Sequence, residues 1–423
     1  MDAFSELSVA VRTRDLDGAN RLLEAHPSLR ARLDGPMTGA SFGEPMIMSA
    51  VNANDRDMIA LLLAHGADIN ARSEWWAGSF GVLDGCAPDL APFLIGHGAV
   101  VDAHAAARLG MLARLTELVA ADPGVVHARG GDGQTPLHFA STIEIASYLL
   151  DHGADRDARD TDHESTPAQW MVRDRPDVAR FLVTRGCRTD ILMAAALGSV
   201  ELVRRHLDDD HTSIRTCVST EYFPMRHARA GGSIYIWTLG KNATAHVVAH
   251  ERGHSDVFQL LMERSPDVMK LATACLVCDE ALVNDLIRGH PDLAQSLSAE
   301  EQRMIAHAAA ANRTAVVRLM LAAGWPVGAR GDSRGTPLHH AAWLGNVEMV
   351  RDLLRHGAPL EDRGDVYHLS PLGWAIHGSV NSWRKDEGDY AGTVRALLEA
   401  GAVAPATGTG LDASDAVRNV LSS

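Results

Sequence analysis

The sequence predicts an all-α fold: a solenoid of stacked helix pairs with β-hairpin fingers, one of them enlarged near residues 216–239. Three observations predict it. Glycines recur at nearly constant spacing, since Gly66 to Gly98 is 32 residues, Gly153 to Gly186 is 33 and Gly324 to Gly357 is 33. Each follows a run with apolar residues at helical spacing, and glycine stops a helix in the left-handed conformation without steric penalty. Composition agrees: 46% of the 423 residues are hydrophobic and only 5% aromatic, which suits helix pairs packed through small inner residues.

The most complete unit is GTPLHHAAWLGNVEMVRDLLRHGA at 335–358. Thr336 is placed to cap a helix through its hydroxyl, and Pro337 takes the first helical position, where its missing N–H is no loss. Leu338, Ala341 and Ala342 make a short inner helix ending at Gly345. Val347, Val350, Leu353 and Leu354 make an outer helix that Gly357 stops. This unit closely resembles the ankyrin repeat, whose T-P-L-H-x-A core and length of about 33 residues are specific signals. A repeat of this kind cannot bury its own apolar face, so neighbours must stack on it.

The resemblance covers residues 1–403 and is strongest at 45–72, 132–188 and 335–358. We count about twelve units of repeat length, several of them degenerate. About seven occupy residues 1–215, an inserted β-hairpin finger follows at 216–243, and about five fill 244–403. The tail, 404–423, carries LDASDAVRNVL as a capping helix. Four units end in a proline turn in place of glycine: HPSL at 26–29, DPGV at 122–125, SPDV at 265–268 and HPDL at 290–293. The third unit is degraded, with Gly and Pro in GVLDGCAPD where a helix belongs. The fifth, opening DGQTPLHFAS, is about three residues short of the repeat, so one of its helices must be clipped. Residues 216–239 hold two β-prone runs around a Gly-Gly turn, and NSWRKDEGDYAG is an insertion in the last unit.

A net charge of −15 argues against nucleic acid and anionic membranes as partners. Lysine occurs only at 241, 270 and 385, an Arg-for-Lys skew that fits a high-GC bacterial coding bias. Five cysteines show no disulfide framework, the opening MDAFSELSVAVRTRD does not read as a signal peptide, and no long apolar run spans a membrane. The expectation is a cytoplasmic protein, with export as an effector the alternative.

Among motifs that carry chemistry, HERGH at 250–254 is a literal H-E-x-x-H. A zinc peptidase needs both histidines on one unbroken helix, but Gly253-His254 falls where the inner helix ends. His246, His250 and His254 together form a conceivable cluster; the polar repeat junction is the favoured reading, with His246 and His250 expected to be buried. Cys275 and Cys278 form a C-x-x-C placed late in a helix, the wrong end for a redox thiolate, so core packing is expected. The resemblance implies that His138 and His339, of the two T-P-L-H motifs, hydrogen-bond between neighbouring loops. We assign no catalytic residue, no metal ligand and no cofactor.

The family resemblance implies partner binding on the concave side. The last exposed inner-helix positions are polar with spaced Arg in the first half, for example Arg108/Leu109 and Val172/Arg173. In the second half they become largely apolar: Ala196/Leu197, Glu251/Arg252, Leu276/Val277, Ala310/Ala311, Trp343/Leu344 and His377/Gly378. Contiguous exposed apolar surface marks binding sites, and Trp and Arg are favoured anchors. The candidate binding residues are therefore Arg252, Leu276, Val277, Trp343, Leu344, Trp374 and His377, with Tyr235 and Trp237 from the inserted finger. Trp75 and Trp76 form a second aromatic tip. The leading reading is a scaffold for a protein or peptide partner, of unknown oligomeric state. The alternative is an enzyme or a small-molecule or metal binder using the groove with His246, His250 and His254, or with His377.

Overall fold

The computed structural model describes residues 2–405 and 412–422, and the chain divides into two compact units, Met1–Val248 and Ala249–Ser423. The Gly/Thr-rich stretch 406–411 of the tail lies outside the described residues.

In the first unit, helix pairs follow one another from Ala3–Thr13 and Leu16–Ala25 to Ile191–Ala196 and Val200–Asp209. Their inner helices bury small and aliphatic side chains, and Leu7, Ile47, Met58, Leu62 and Leu94 are wholly enclosed in one core. Inner-helix length varies sharply. Met46–Asn52 has 7 residues, whereas Val82–Gly85 and Pro136–Phe139 have only 4, and Pro167–Met171 has 5. The degraded third unit and the clipped fifth unit thus both shorten the inner helix. Clipping would orphan carbonyls at the end of Pro136–Phe139. Arg175, from the next repeat, donates to them, with Nη1 2.8 Å from the Ala140 oxygen and Nη2 3.0 Å from that of His138.

In the second unit three inner helices are long, Asp267–Leu276 with 10 residues, Ala299–Ala310 with 12 and Pro371–Asn381 with 11, while Pro337–Trp343 has 7. Helices Pro337–Trp343 and Pro371–Asn381 approach closely, and a Cβ at Gly378 would lie 2.5 Å from the Trp343 carbonyl oxygen. The insertion in the last unit lengthens the inner helix to Asn381 and then turns back, ending with the Asp389 N–H donating to the Gly345 carbonyl. Helix Asp415–Leu421, capped by Ser414, buries Val417 against the preceding pair.

Three of the four proline endings pass through 3-10 turns: Pro27–Arg32, Pro123–His127 and Leu293–Ser296. Pro266 instead caps helix Asp267–Leu276 directly.

The strand expectation is corrected. Among the described residues there is no β-strand, and the fingers are loops closed by single backbone bonds, such as Gly130 N–H to the Gln134 oxygen at 2.9 Å. The enlarged finger is no hairpin either. Residues 216–239 form turns, an isolated bridge between Cys217 and Thr244, and the start of a wide helical turn, Ile236–Gly240. Ile234 and Tyr235 are β-prone because they favour a packed surface, and here that surface is a neighbouring repeat rather than a partner strand. The Gly231 N–H donates to the Asp162 carbonyl at 3.0 Å and the Ile234 N–H to Ser165 Oγ at 3.1 Å.

The T-P-L-H histidines behave as the resemblance implied. The Thr135 N–H donates to His138 Nδ1 at 3.1 Å, which fixes the proton on Nε2, and Nε2–H donates to the Ser165 carbonyl at 3.2 Å. His339 repeats this with the Thr336 N–H and the Leu369 carbonyl. Thr336 Oγ1 lies 2.8 Å from the same imidazole nitrogen, and the two residues form a capping box at the start of the helix. Burial holds the His138 pKa down to about 3, against 6.5 ordinarily, and lowers that of His339.

The unfolded chain therefore takes up protons at His138 between pH 6.5 and about 3 while the folded chain does not, so the stability due to neutral His138 is lost as pH falls through that window. At neutral pH, His138→Ala should cost about 2–4 kcal/mol by leaving two buried backbone groups unpaired. Equilibrium denaturation from pH 8 to 4 should show the gap between wild type and variant narrowing on acidification; a constant gap would refute the assignment.

Candidate functional site

Two cavities stand out, one in each unit. In the second unit, a cavity of about 780 Å³ is lined by Trp343, Tyr367, Leu369, Trp374, His377 and Trp383. Trp374 is its fixed wall: the ring is buried and its Nε1–H donates to Asp365 Oδ2 at 2.9 Å. Trp343 meets it edge-on at 6.2 Å and Tyr367 at 6.1 Å, while His377 lies 5.7 Å from Trp343. The rim is exposed, with Tyr367 at 62%, Trp383 at 71% and Val403 at 66%.

Of the residues named from sequence, the structure brings Trp343, Trp374 and His377 into this one cavity. Leu344 is buried in the core, and Leu276 and Val277 are half-buried at the end of Asp267–Leu276, with the Leu276 carbonyl accepting from Arg313 Nη2 at 2.6 Å. Arg252 is half-buried in the turn after Ala245–Glu251. Sequence reasoning missed Tyr367 and Trp383. Both lie in loops between helices, where the repeat pattern says nothing about side-chain direction; only the insertion NSWRKDEGDYAG flagged the second.

In the first unit, the shortened inner helices leave a cavity of about 1490 Å³, with Phe139, Ser141, Trp170 and Arg175 among its walls. Residues of the 216–240 segment close its side through Ile234, Trp237 and Thr238. Trp237 is half-exposed, whereas Tyr235 is wholly buried. The Tyr235 hydroxyl donates to Asp190 Oδ2 at 2.9 Å, and burial raises both groups' pKa values. The aromatic tip also joins in: Trp76 stacks on His227 at 4.5 Å, with the Arg229 guanidinium 4.9 Å above the indole. Trp75 Nε1–H donates to Asp132 Oδ1 at 2.9 Å. Sequence reasoning singled out Trp75, Trp76 and Trp237 but missed Asp132, Asp162 and His163 on the cavity wall. Their only signal is a pair of polar tips, GGDG and DTDHE, one repeat apart.

The other motifs resolve simply. Helix Ala245–Glu251 ends before Gly253, which has φ +73°, so His250 and His254 do not share a helix. His246 is buried as expected, but His250 is exposed, a correction: it sits in the last turn of the inner helix, beyond the core, and packs on Phe258 at 5.3 Å. Cys275 is wholly buried, which pushes its thiol up to about 12, and Cys278 is exposed in a left-handed turn at φ +58°. No helix among the described residues is long and apolar enough to cross a membrane.

Tyr235→Phe should unpin the 216–240 segment by removing a hydroxyl from a buried carboxylate, at a cost of about 1–3 kcal/mol. Limited trypsinolysis should then cut faster at the exposed Arg226 and Arg229; unchanged cleavage would mean that Tyr235 only fills space.

Family comparison agrees with this architecture. The model described as Ankyrin repeats (3 copies) matches residues 103–193, 271–364 and 307–384, and the model described as Ankyrin repeat matches 43–74. These segments coincide with the helix pairs and the T-P-L-H histidines described above, and repeats of this kind generally mediate protein–protein interaction. The chain belongs to the ankyrin repeat family.

Proposed function

We propose that the protein is an interaction scaffold whose second unit binds a peptide segment of a protein partner in the cavity around Trp374. The exposed aromatic rim carries this reading: Tyr367 and Trp383 are each more than half exposed beside a concave, aromatic-walled space. Water-facing aromatic side chains of this size are costly to leave unpaired, and they are the residues that dominate binding energy at interfaces. His377 and Arg363 add polar contacts at the edge, which suits a peptide presenting an apolar side chain among polar neighbours. The cavity is small enough for one or two side chains rather than a folded surface. In this reading the remaining candidates, Arg252, Leu276, Val277 and Leu344, support the concave surface around the anchor pocket. About twelve repeats, acting as a scaffold in a bacterial cytoplasm, complete the proposal.

Selection of peptides from a random display library on the immobilised wild-type protein tests it. Enriched peptides should share an aromatic or large aliphatic anchor, and Trp383→Ala or Trp343→Ala should weaken them by about 30-fold, the cost of losing a hot-spot tryptophan. Circular dichroism should show both variants folded. Enriched peptides that bind both variants as tightly as wild type would place the partner elsewhere.

A further inference from the structure

The cavity of the first unit has a wall that its shape does not explain. Asp132, Asp162 and His163 each offer a ligand atom there, and these three atoms lie within 4.8 Å of one another. They come from two successive tip loops, brought together because the Thr161 and Asp162 N–H groups both donate to the Asp132 carbonyl. All three residues are more than nine-tenths buried, at 8%, 5% and 8% exposure.

His163 Nδ1 lies 2.7 Å from the Gly232 carbonyl, which can only accept, so Nδ1 carries a proton. Nε2 faces Asp162 Oδ2 at 3.4 Å, where a protonated ring pairs with that carboxylate and a neutral ring presents the lone pair that a metal ion takes. Asp132 Oδ1 takes the Trp75 indole N–H, and its Oδ2 accepts no hydrogen bond from any described residue. No arginine or lysine among the described residues pairs with either carboxylate, and a third carboxylate, Asp160, lies buried beside them. The carboxylates thus have this one imidazole among them, and buried carboxylates are ordinarily paired or bound to metal.

We propose that Asp132, Asp162 and His163 bind one divalent first-row metal ion of the zinc class, with the open side of its coordination sphere facing the cavity. The imidazole disfavours magnesium and calcium, since these take oxygen ligands, whereas imidazole suits zinc, copper, iron and nickel. The surrounding groups match what holds metal ligands in place. A backbone carbonyl fixes the tautomer of His163, the Trp75 indole fixes Asp132, and the rings of Trp170 and Trp237 flank the imidazole at 5.3 and 4.8 Å. Three protein ligands leave at least one position for water or a small ligand, the open arrangement of reactive rather than purely structural sites.

The full-length protein, stripped with a chelator and dialysed, should be titrated with Zn²⁺ by calorimetry and with Co²⁺ by visible absorption. Wild type should bind one ion, give a cobalt d–d band and gain thermal stability with Zn²⁺. Asp132→Asn and His163→Gln should each weaken binding at least tenfold and abolish the band, and Trp75→Phe should weaken it about 10-fold through the lost hydrogen bond to Asp132. Without metal, Asp132→Asn should melt no lower than wild type, because it removes a buried charge; this separates loss of a ligand from loss of fold. No stoichiometric binding by wild type would overturn the proposal. So would binding that survives Asp132→Asn and disappears with His250→Ala.

Discussion

The length of the inner helix is the constraint on which the rest of the structure depends. In a stacked array each inner helix presents its last turn to the concave side, so a repeat that loses one turn leaves a hollow there. The first unit loses turns at Val82–Gly85, Pro136–Phe139 and Pro167–Met171, and its hollow is the larger of the two cavities. The second unit keeps its turns, and its smaller cavity arises instead from the loops bearing Tyr367 and Trp383 around Trp374. Helices as short as four residues do not persist on propensity, because a single turn gains too few hydrogen bonds to offset its nucleation. Side-chain hydrogen bonds between adjacent repeats supply the difference: Arg175 caps the clipped fifth repeat, and His138 ties its first turn to the following loop.

Buried polar groups therefore specify this fold as much as apolar packing does. Each T-P-L-H imidazole must be neutral, with one nitrogen accepting from its own helix start and the other donating to the next loop. Tyr235 and Asp190 fasten the 216–240 segment to the repeats in the same way, by a hydrogen bond to a buried carboxylate whose pKa burial raises. Such contacts are unforgiving. A partner removed leaves a desolvated group behind, which costs more than the bond itself was worth.

Much of this was legible in the sequence because it is periodic. The glycine spacing, the T-P-L-H cores, the broken helix of GVLDGCAPD and the clipped unit after DGQTPLHFAS each leave a local signature, and the structure carries all four. The 216–239 segment was misread because β-propensity reports that Ile234 and Tyr235 want a packed surface, without saying whose. His250 was misplaced for a related reason: its repeat position is often buried, but it falls in the final turn, beyond the core. Asp132, Asp162 and His163 were invisible because each is an ordinary polar tip residue on its own. Only the stacking of one repeat on the next, with Gly231 and Gly232 packed against them, makes three unremarkable residues into a cluster.

The same reasoning separates the two cavities chemically. Around Trp374 the indole N–H is taken by Asp365 and the Trp343 carbonyl by the Tyr390 hydroxyl, and the exposed surface of the rim is aromatic, so its natural complement is apolar. Around Asp132 the aromatic rings are the supports, and what they surround is two carboxylates and one imidazole, whose natural complement is a cation. An array of ankyrin repeats can therefore build a buried polar pocket by a modest change. Shortening two or three inner helices hollows the concave face, and one inserted segment pinned by a buried tyrosine walls it in.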